Sequence, residues 1–387
     1  PGALGMLRGN QVAIAASTRW VSTTVGRTAI DPMTGQAQPG ASRTFPSASG
    51  TGTYQPLGWP PGPGGFLGVG ADLGGRFTIA LATYTPFAQR STFAPTFDGQ
   101  IPTRYHLISS DLRHQALVPA LALRIGSSLH IGVAPGFMFS RGRLSFDEDT
   151  ALSGNPTCDG APCGAENASA AARYDLNSGF GLLNASPAFT VSGGIHYRTG
   201  PFDIGFSYAS RPLGTDGGGI AIEARRSRVD RPARDLGTKG PLCPANAADD
   251  CVFGHIQYAL PDILTAGVTW HALPRLDLTA IVRYLTFSQH DEISLRLVGP
   301  AENGLRAAGL PEQITLYRGF NDVVETRLRA NVSLGSWVRL AGTLRAETAA
   351  LHAKQLNAGA VDGFKLEPAI AVRVRIGSYV LLGAGYA

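Results

Sequence analysis

Residues 322–348 read DVVETRLRANVSLGSWVRLAGTLRAET, and their polarity alternates. Val324, Thr326, Leu328, Ala330, Val332 and Leu334 share one parity, and Glu325, Arg327, Arg329, Asn331 and Ser333 share the other. A period of two is the signature of a β-strand. Past Gly335 and Ser336 the alternation resumes, with Val338, Leu340, Leu344 and Ala346 set against Arg339, Thr343, Arg345 and Glu347. The stretch is therefore a hairpin with one apolar and one charged face. In a soluble sheet the charged face meets water, whereas in a membrane barrel the apolar face meets lipid and the charges line the interior.

Composition favours the second arrangement. The 387 residues include 49 Gly and 26 Pro, only 16% are charged, and the mean hydropathy is +0.03, unusual for a soluble enzyme of this size. No apolar run approaches the roughly 18–20 residues of a membrane helix, so any passage through a bilayer is made by strands. The net charge of +5 and pI near 9.2 come from basic residues spread along strands and not clustered as a nucleic-acid footprint. The chain opens at Pro1 without a Met or a signal-type apolar core, which reads as a processed or truncated chain.

The hairpin rhythm repeats along the chain. Residues 65–73 and 76–87 pair through Gly74 and Gly75, 116–125 with 128–140 through a short turn, and 188–198 with 202–210 through TGP. Residues 261–272 and 276–288 share LPR, and 365–376 with 378–387 supply the last hairpin. A further strand is expected over 11–21. Short turns alternate with long connections near 22–64, 88–104, 147–185, 212–256, 295–320 and 350–364. That sorting is expected of an all-β, transmembrane, antiparallel up-and-down barrel of about thirteen strands, occupying residues 11–387. Trp20, Trp270, Trp337, Tyr208, Tyr284 and Tyr386 fall near strand ends, where an interfacial belt belongs.

The four cysteines form two close pairs, Cys158 with Cys163 and Cys243 with Cys251, both on the long-connection side. Neither zinc-type nor CxxC spacing is present, so two local disulfides in an oxidising compartment are expected, with four free thiols as the alternative. The eight histidines, His106, His114, His130, His196, His255, His271, His290 and His352, show no metal-ligand spacing. No nucleophile elbow or phosphate loop is present, so no enzyme activity, metal or cofactor is expected.

Several segments resemble the outer-membrane long-chain fatty acid and hydrocarbon transporters of the FadL/TodX type. PGALGMLRGNQVAIAAS (1–17) is similar to the family's segment leading into its first strand, lacking the leading Asn. LATYTPFA (81–88), LVPALALRI (117–125) and IGFSYAS (204–210) resemble three of its strands. The closest likeness is in YALPDILTAGVTW (258–270) with LDLTAIVRYLTFS (276–288), and in GFNDVVETRLRANVSLGSWVRLAGTLRAET (319–348). The resemblance implies a fourteen-stranded barrel in the bacterial outer membrane that admits hydrophobic small molecules passively and releases them sideways into the bilayer. It also implies an N-terminal plug, of which residues 1–10 would be the remnant, and a kinked third strand that opens the lateral exit. Tyr84, Thr85, Pro86 and Phe87 are then the candidates for that gate, the alternative being that Pro86 merely ends the strand.

The second candidate set is the charged parity: Glu325, Arg327, Arg329, Arg339, Arg345, Glu347, Glu367, Arg373 and Arg375, together with Asp322, which matches a family position in the barrel interior. Such a ladder rigidifies and hydrates a lumen, or holds a carboxylate or the plug through its arginines. EARRSRVDRPARDLGTK (223–239) is expected as a solvated loop able to meet lipopolysaccharide phosphates, with apolar neighbours from 179–189. The expected partners are a hydrophobic small molecule and outer-membrane lipid, with no nucleic acid and a monomeric barrel. A general diffusion porin and a surface adhesion barrel are the alternatives.

Overall fold

The computed structural model describes residues 1–16, 19–21, 24–27, 43–46, 50–52, 65–92, 107–149, 157–158, 161–162, 171–178, 187–214, 219–230, 252–298, 313–351 and 363–386. Eighteen strands form one antiparallel sheet. In chain order they are β1 (Asn10–Ala15), β2 (Phe66–Leu73), β3 (Phe77–Thr92), β4 (Leu107–Ile125), β5 (Leu129–Asp149) and β6 (Ala171–Asn177). Then come β7 (Pro187–Thr199), β8 (Phe202–Ala209), β9 (Ile220–Asp230), β10 (Val252–Tyr258), β11 (Ile263–Leu273) and β12 (Leu276–Leu285). The last six are β13 (Glu292–Val298), β14 (Gln313–Tyr317), β15 (Val323–Leu334), β16 (Val338–Glu347), β17 (Lys365–Ile376) and β18 (Val380–Tyr386).

Thirteen of these make the wall, in the order β1, β2, β3, β4, β5, β7, β8, β11, β12, β15, β16, β17, β18. Among the described residues β1 pairs only with β2 and β18 only with β17. All six expected hairpins are present, and several of their tight turns use glycine in the left-handed region, as at Gly126, Gly335 and Gly377. The first wall strand is shorter than expected: it stops at Ala15, and Arg19–Val21 pairs instead with Gly50–Gly52 outside the wall.

The wall turns its apolar parity outward. Leu328 is 59% exposed, and Val332, Leu340 and Leu344 beside it are exposed as well, while Glu325 across the backbone is buried. The same holds on β4 and β5, where Leu117, Leu121, Val133 and Phe137 face out. Each such side chain moved from water into hydrocarbon contributes roughly 1.5–3 kcal/mol. Two girdles frame this band. Trp270, stacked on Phe202 at 6.4 Å, and Trp337 lie at the short-turn end. Tyr208 and Tyr284 lie at the other. The side chain of Trp20 lies outside the described residues.

The long connections carry strands of their own. β5 has 21 residues and forks: its first half, from Leu129 to Phe139, pairs with β7, and its second, from Arg143 to Asp149, pairs with β6. From β6 the sheet continues through β9, β10, β13 and β14. This branch closes a cap whose interior is an apolar core built from Leu112, Leu144, Phe146, Tyr174, Ile222, Ile256, Ile293 and Leu295. Residues 223–230, expected as the start of a basic loop, are thus strand, and 231–239 lie outside the described residues. The cysteine side chains also lie outside them; Cys158 sits in a two-residue pairing in which it faces Ala161.

Candidate functional site

The candidate gate is a break in the wall on β3. Pro86 stands inside this 16-residue strand and does not end it. Tyr84 faces Ala116 of β4, but the next pair is Phe87 with His114, so β3 carries one residue more than β4 across this step. Thr85 and Pro86 therefore form a bulge, as expected where a strand residue lacks its N–H. On the other side of β3 the ladder ends just below: Tyr84 pairs with Phe66, and the Thr85 N–H donates to Gly65 at 3.2 Å. Beyond that point β3 forms a ladder on one side only among the described residues, and the strand Gly50–Gly52 lies against it without pairing. The side chain of Phe87 lies outside the described residues.

The lumen surface next to the bulge is made of small groups. Ala116, Val118 and Ala134 form a buried cluster with Ala120 against it. Lower down, a 3-10 helix at Gly2–Met6 lies on the inner wall. Its seat is cut by glycines: a Cβ at Gly132 would stand 2.5 Å from the Pro1 carbonyl, and one at Gly5 2.9 Å from His130. Arg124 holds it from below, donating to Gly5 O at 2.8 and 3.1 Å and to Leu7 O at 3.4 Å. The segment expected as a plug remnant is thus packed inside the barrel.

The opposite wall carries the charged ladder. Register sets Arg283, Glu325, Glu347 and Lys365 in one row across β12, β15, β16 and β17, with Arg327, Arg345 and Glu367 in the next. Glu325 is the hub, accepting from Arg283 at 3.1 Å, Arg327 at 3.0 Å and Arg345 at 3.0 Å. Arg345 also pairs with Glu367 at 2.6 Å and with Glu347, which takes Lys365 at 2.5 Å. Toward the short turns the compensation ends. Arg329 bonds only Asn331 among the described residues. Arg339, Arg373 and Arg375 line a cavity of about 610 Å³ with Arg275, Ser333 and Trp337, and none of its four arginines has an ion-pair partner among the described residues.

Asp322 does not join this ladder. Its carboxylate accepts from the hydroxyl of Tyr284 and, at 3.0 Å, from the Ser288 N–H. Tyr284 pairs with Val324 on the outward parity, so Asp322 belongs to the outer rim and not to the lumen as expected. The reason is parity: Asp322 lies an odd number of residues from Glu325. The rim contact recurs one hairpin earlier, where Tyr208 donates to Asp262 at 2.7 Å. A rim tyrosine keeps its ring apolar and its hydroxyl satisfied.

Register also assembles histidines that no linear spacing groups. His130 and His196 approach at 3.2 Å between their Nδ1 atoms. His271 bridges Asp203 at 2.9 Å and Asp277 at 2.8 Å, and Arg198 grips Asp203 at 2.7 and 3.0 Å. Among the described residues no three His, Cys, Asp or Glu side chains are grouped to hold a metal. Where the cap meets the barrel, His114 bonds Ser140 at 2.8 Å and Tyr258 at 3.0 Å. His290 bonds Ala259 O at 2.6 Å and stacks on Phe320. His290 lies in the connection between β12 and β13, outside the wall strands. Burial and the charge of Arg318 push His290 down to about 4.

Comparison with known proteins agrees with this architecture. Residues 9–328 match the family model described as outer membrane protein transport protein (OMPP1/FadL/TodX). Among solved structures, a Pseudomonas aeruginosa FadL homologue superposes with a TM-score of 0.72 at 11% identity, covering 100% of this chain and 82% of that one. The Ralstonia pickettii toluene transporter TbuX gives 0.62 at 13% identity, covering 98% and 84%. The Pseudomonas putida toluene transporter TodX gives 0.61 at 14% identity, covering 97% and 83%. At these identities the structures speak for the fold alone, and no curated protein matches in sequence. The family model spans most of the chain, and with the wall, the outward apolar band and the packed N-terminal segment it leads to one conclusion: this chain belongs to the OMPP1/FadL/TodX family of transport proteins of the bacterial outer membrane.

Proposed function

We propose that the protein carries long-chain fatty acids or other hydrophobic small molecules passively inward and releases them sideways through the wall at Tyr84–Phe87. The observation that carries this reading is the bulge at Thr85–Pro86 in the β3–β4 ladder, at the level where the β2–β3 ladder ends among the described residues. Physical chemistry favours a lateral route. A greasy chain crossing an aqueous channel forfeits about 0.8 kcal/mol per CH₂, and a path that ends in the bilayer does not. The wall beside the bulge offers Ala116, Val118 and Ala134, which impose little steric barrier. The relatives described as toluene transporters and as a FadL homologue fit a hydrophobic substrate of either kind.

The interior argues against a general porin. The 3-10 helix at Gly2–Met6 occupies part of the lumen, and the apolar cap core stands over its long-connection end. A liposome-swelling assay separates the two: a plugged barrel excludes sugars while a fluorescent fatty acid still partitions into the vesicle membrane. Swelling by sugars at porin rates would overturn the proposal.

A further inference from the structure

The wall has a second irregularity, independent of Pro86. β4 and β5 keep a single register, with Leu117 facing Phe137 and Leu121 facing Val133, and between these pairs the ladder is interrupted. That register sets Pro119 opposite Pro135. In an antiparallel ladder alternate pairs exchange both N–H···O bonds, and losing one such pair removes the bridges on either side as well. The interruption has that extent, and proline has no N–H to give. Each missing donor is the one that would have served the other proline's carbonyl. Leu81 of β3 still pairs with Pro119, and Val191 of β7 still pairs with Pro135, so the defect is confined to one seam.

Its level is that of the bilayer, since Leu117, Leu121, Val133 and Phe137 around it all face outward. Two backbone carbonyls there lack their ladder donors, an expensive condition in hydrocarbon and a rare one for prolines inside a sheet. Three residues of each strand are left out of the ladder, and the pairs that flank them stand about 13 Å apart. Among the described residues Ala116, Val118, Ala120 and Ala134 stand behind it, and the two hydroxyls nearby are turned elsewhere, Ser192 donating to Ala134 O at 3.3 Å and Thr190 to Ser210 O at 3.0 Å.

We infer that the β4–β5 seam at Pro119 and Pro135 is a second lateral opening, selective for hydrophobic compounds bearing one hydroxyl, such as a phenol or a long-chain alcohol. The apolar body passes between strands held together by two fewer hydrogen bonds, and the hydroxyl donates to an orphaned carbonyl on the way. The inference rests on lateral release as proposed above, but it names a different seam and a different chemistry.

The test uses the full-length protein in liposomes, following transfer of a phenol and of a hydrocarbon of the same ring size into the bilayer. The double variant Pro119→Val/Pro135→Val restores both N–H groups. Phenol release is expected to fall about tenfold, the change in open population that two added backbone hydrogen bonds produce, with a smaller effect on the hydrocarbon. A second variant, Leu117→Cys/Phe137→Cys, allows the seam to be latched by oxidation and freed by reduction, with the unsubstituted protein as control for its own cysteines. Phenol release is expected to stop when latched and return when freed. Folded variants that release phenol at the unsubstituted rate, latched or not, overturn the inference. If Pro86→Val abolishes transfer while both seam variants are silent, lateral release at β3 stands and the seam alone fails. Solute recovered in the vesicle lumen and not in the membrane removes both.

Discussion

Arg345 reaches across from β16 to donate to Glu325 of β15 at 3.0 Å, and the carboxylate it meets is only 2% exposed. This contact is one of three arginine contacts on a single acid, and it shows how a lumen wall rich in basic residues is held together. Each guanidinium is partly open to water while the acid is not, so the acid is the member whose removal is felt.

Glu325→Gln is expected to destabilise the barrel by about 2–4 kcal/mol, somewhat under the range for breaking a buried pair because the arginines are part-exposed. Urea unfolding in lipid vesicles measures it. Adding Arg327→Gln to the variant should recover part of the loss, since one fewer uncompensated charge remains. No change in the unfolding midpoint would mean that the ladder is ornamental.

Pro86→Val should let β3 recover an N–H and flatten the bulge between Tyr84 and Phe87. Uptake of a hydrophobic substrate is expected to drop several-fold, with the barrel still shifting its gel mobility on heating. Normal uptake by a folded variant would place the exit elsewhere.

The cap should weaken in acid. His290 sits at about 4 in the folded protein, below the ordinary value of 6.5. Between about pH 6.5 and pH 4 the unfolded cap therefore takes up protons that the folded cap refuses, and stability falls with pH across that window. Hydrogen exchange at Ile256 and Ile293 should quicken at pH 4.5 relative to pH 7. His290→Gln should flatten the response.

The seat of the N-terminal segment offers a test of the plug. Gly132→Val places methyl groups where the Pro1 carbonyl lies and should expel the 3-10 helix without unfolding the wall. Arg124→Gln removes the donors that hold Gly5 O and Leu7 O from below. Both variants are expected to raise permeation of small sugars, read by liposome swelling.

The wall was legible in the sequence because its physics is local. Alternation at 322–348 and glycine turns such as Gly126 and Gly335 mark strands and reversals without knowledge of neighbours. The branch β6, β9, β10, β13, β14 was not: its strands are short, and in β9 the run EARRSRVD hides the period. Of the candidate residues, Glu325, Arg345, Glu347 and Glu367 come together as their parity requires, and Asp322 falls outside by one step of the same rule. His130 with His196, 66 residues apart, depends on β5 pairing with β7, which no turn length dictates. Pro119 and Pro135 are different. Folding 116–140 about its turn places them opposite, so that relationship stood in the sequence but needed the register written out.

The cap core has one more implication. The wall has lipid where a soluble protein has an interior, so its stability is set by the bilayer. The core around Tyr174, Ile222, Ile256 and Leu295 is closed by its own side chains, and it answers to water. Cooling weakens the hydrophobic effect that holds such a core and leaves hydrogen-bonded strands in hydrocarbon little changed. The protein thus lives in two solvents at once. Low temperature or a change of salt should loosen the roof of the transporter while its walls stand.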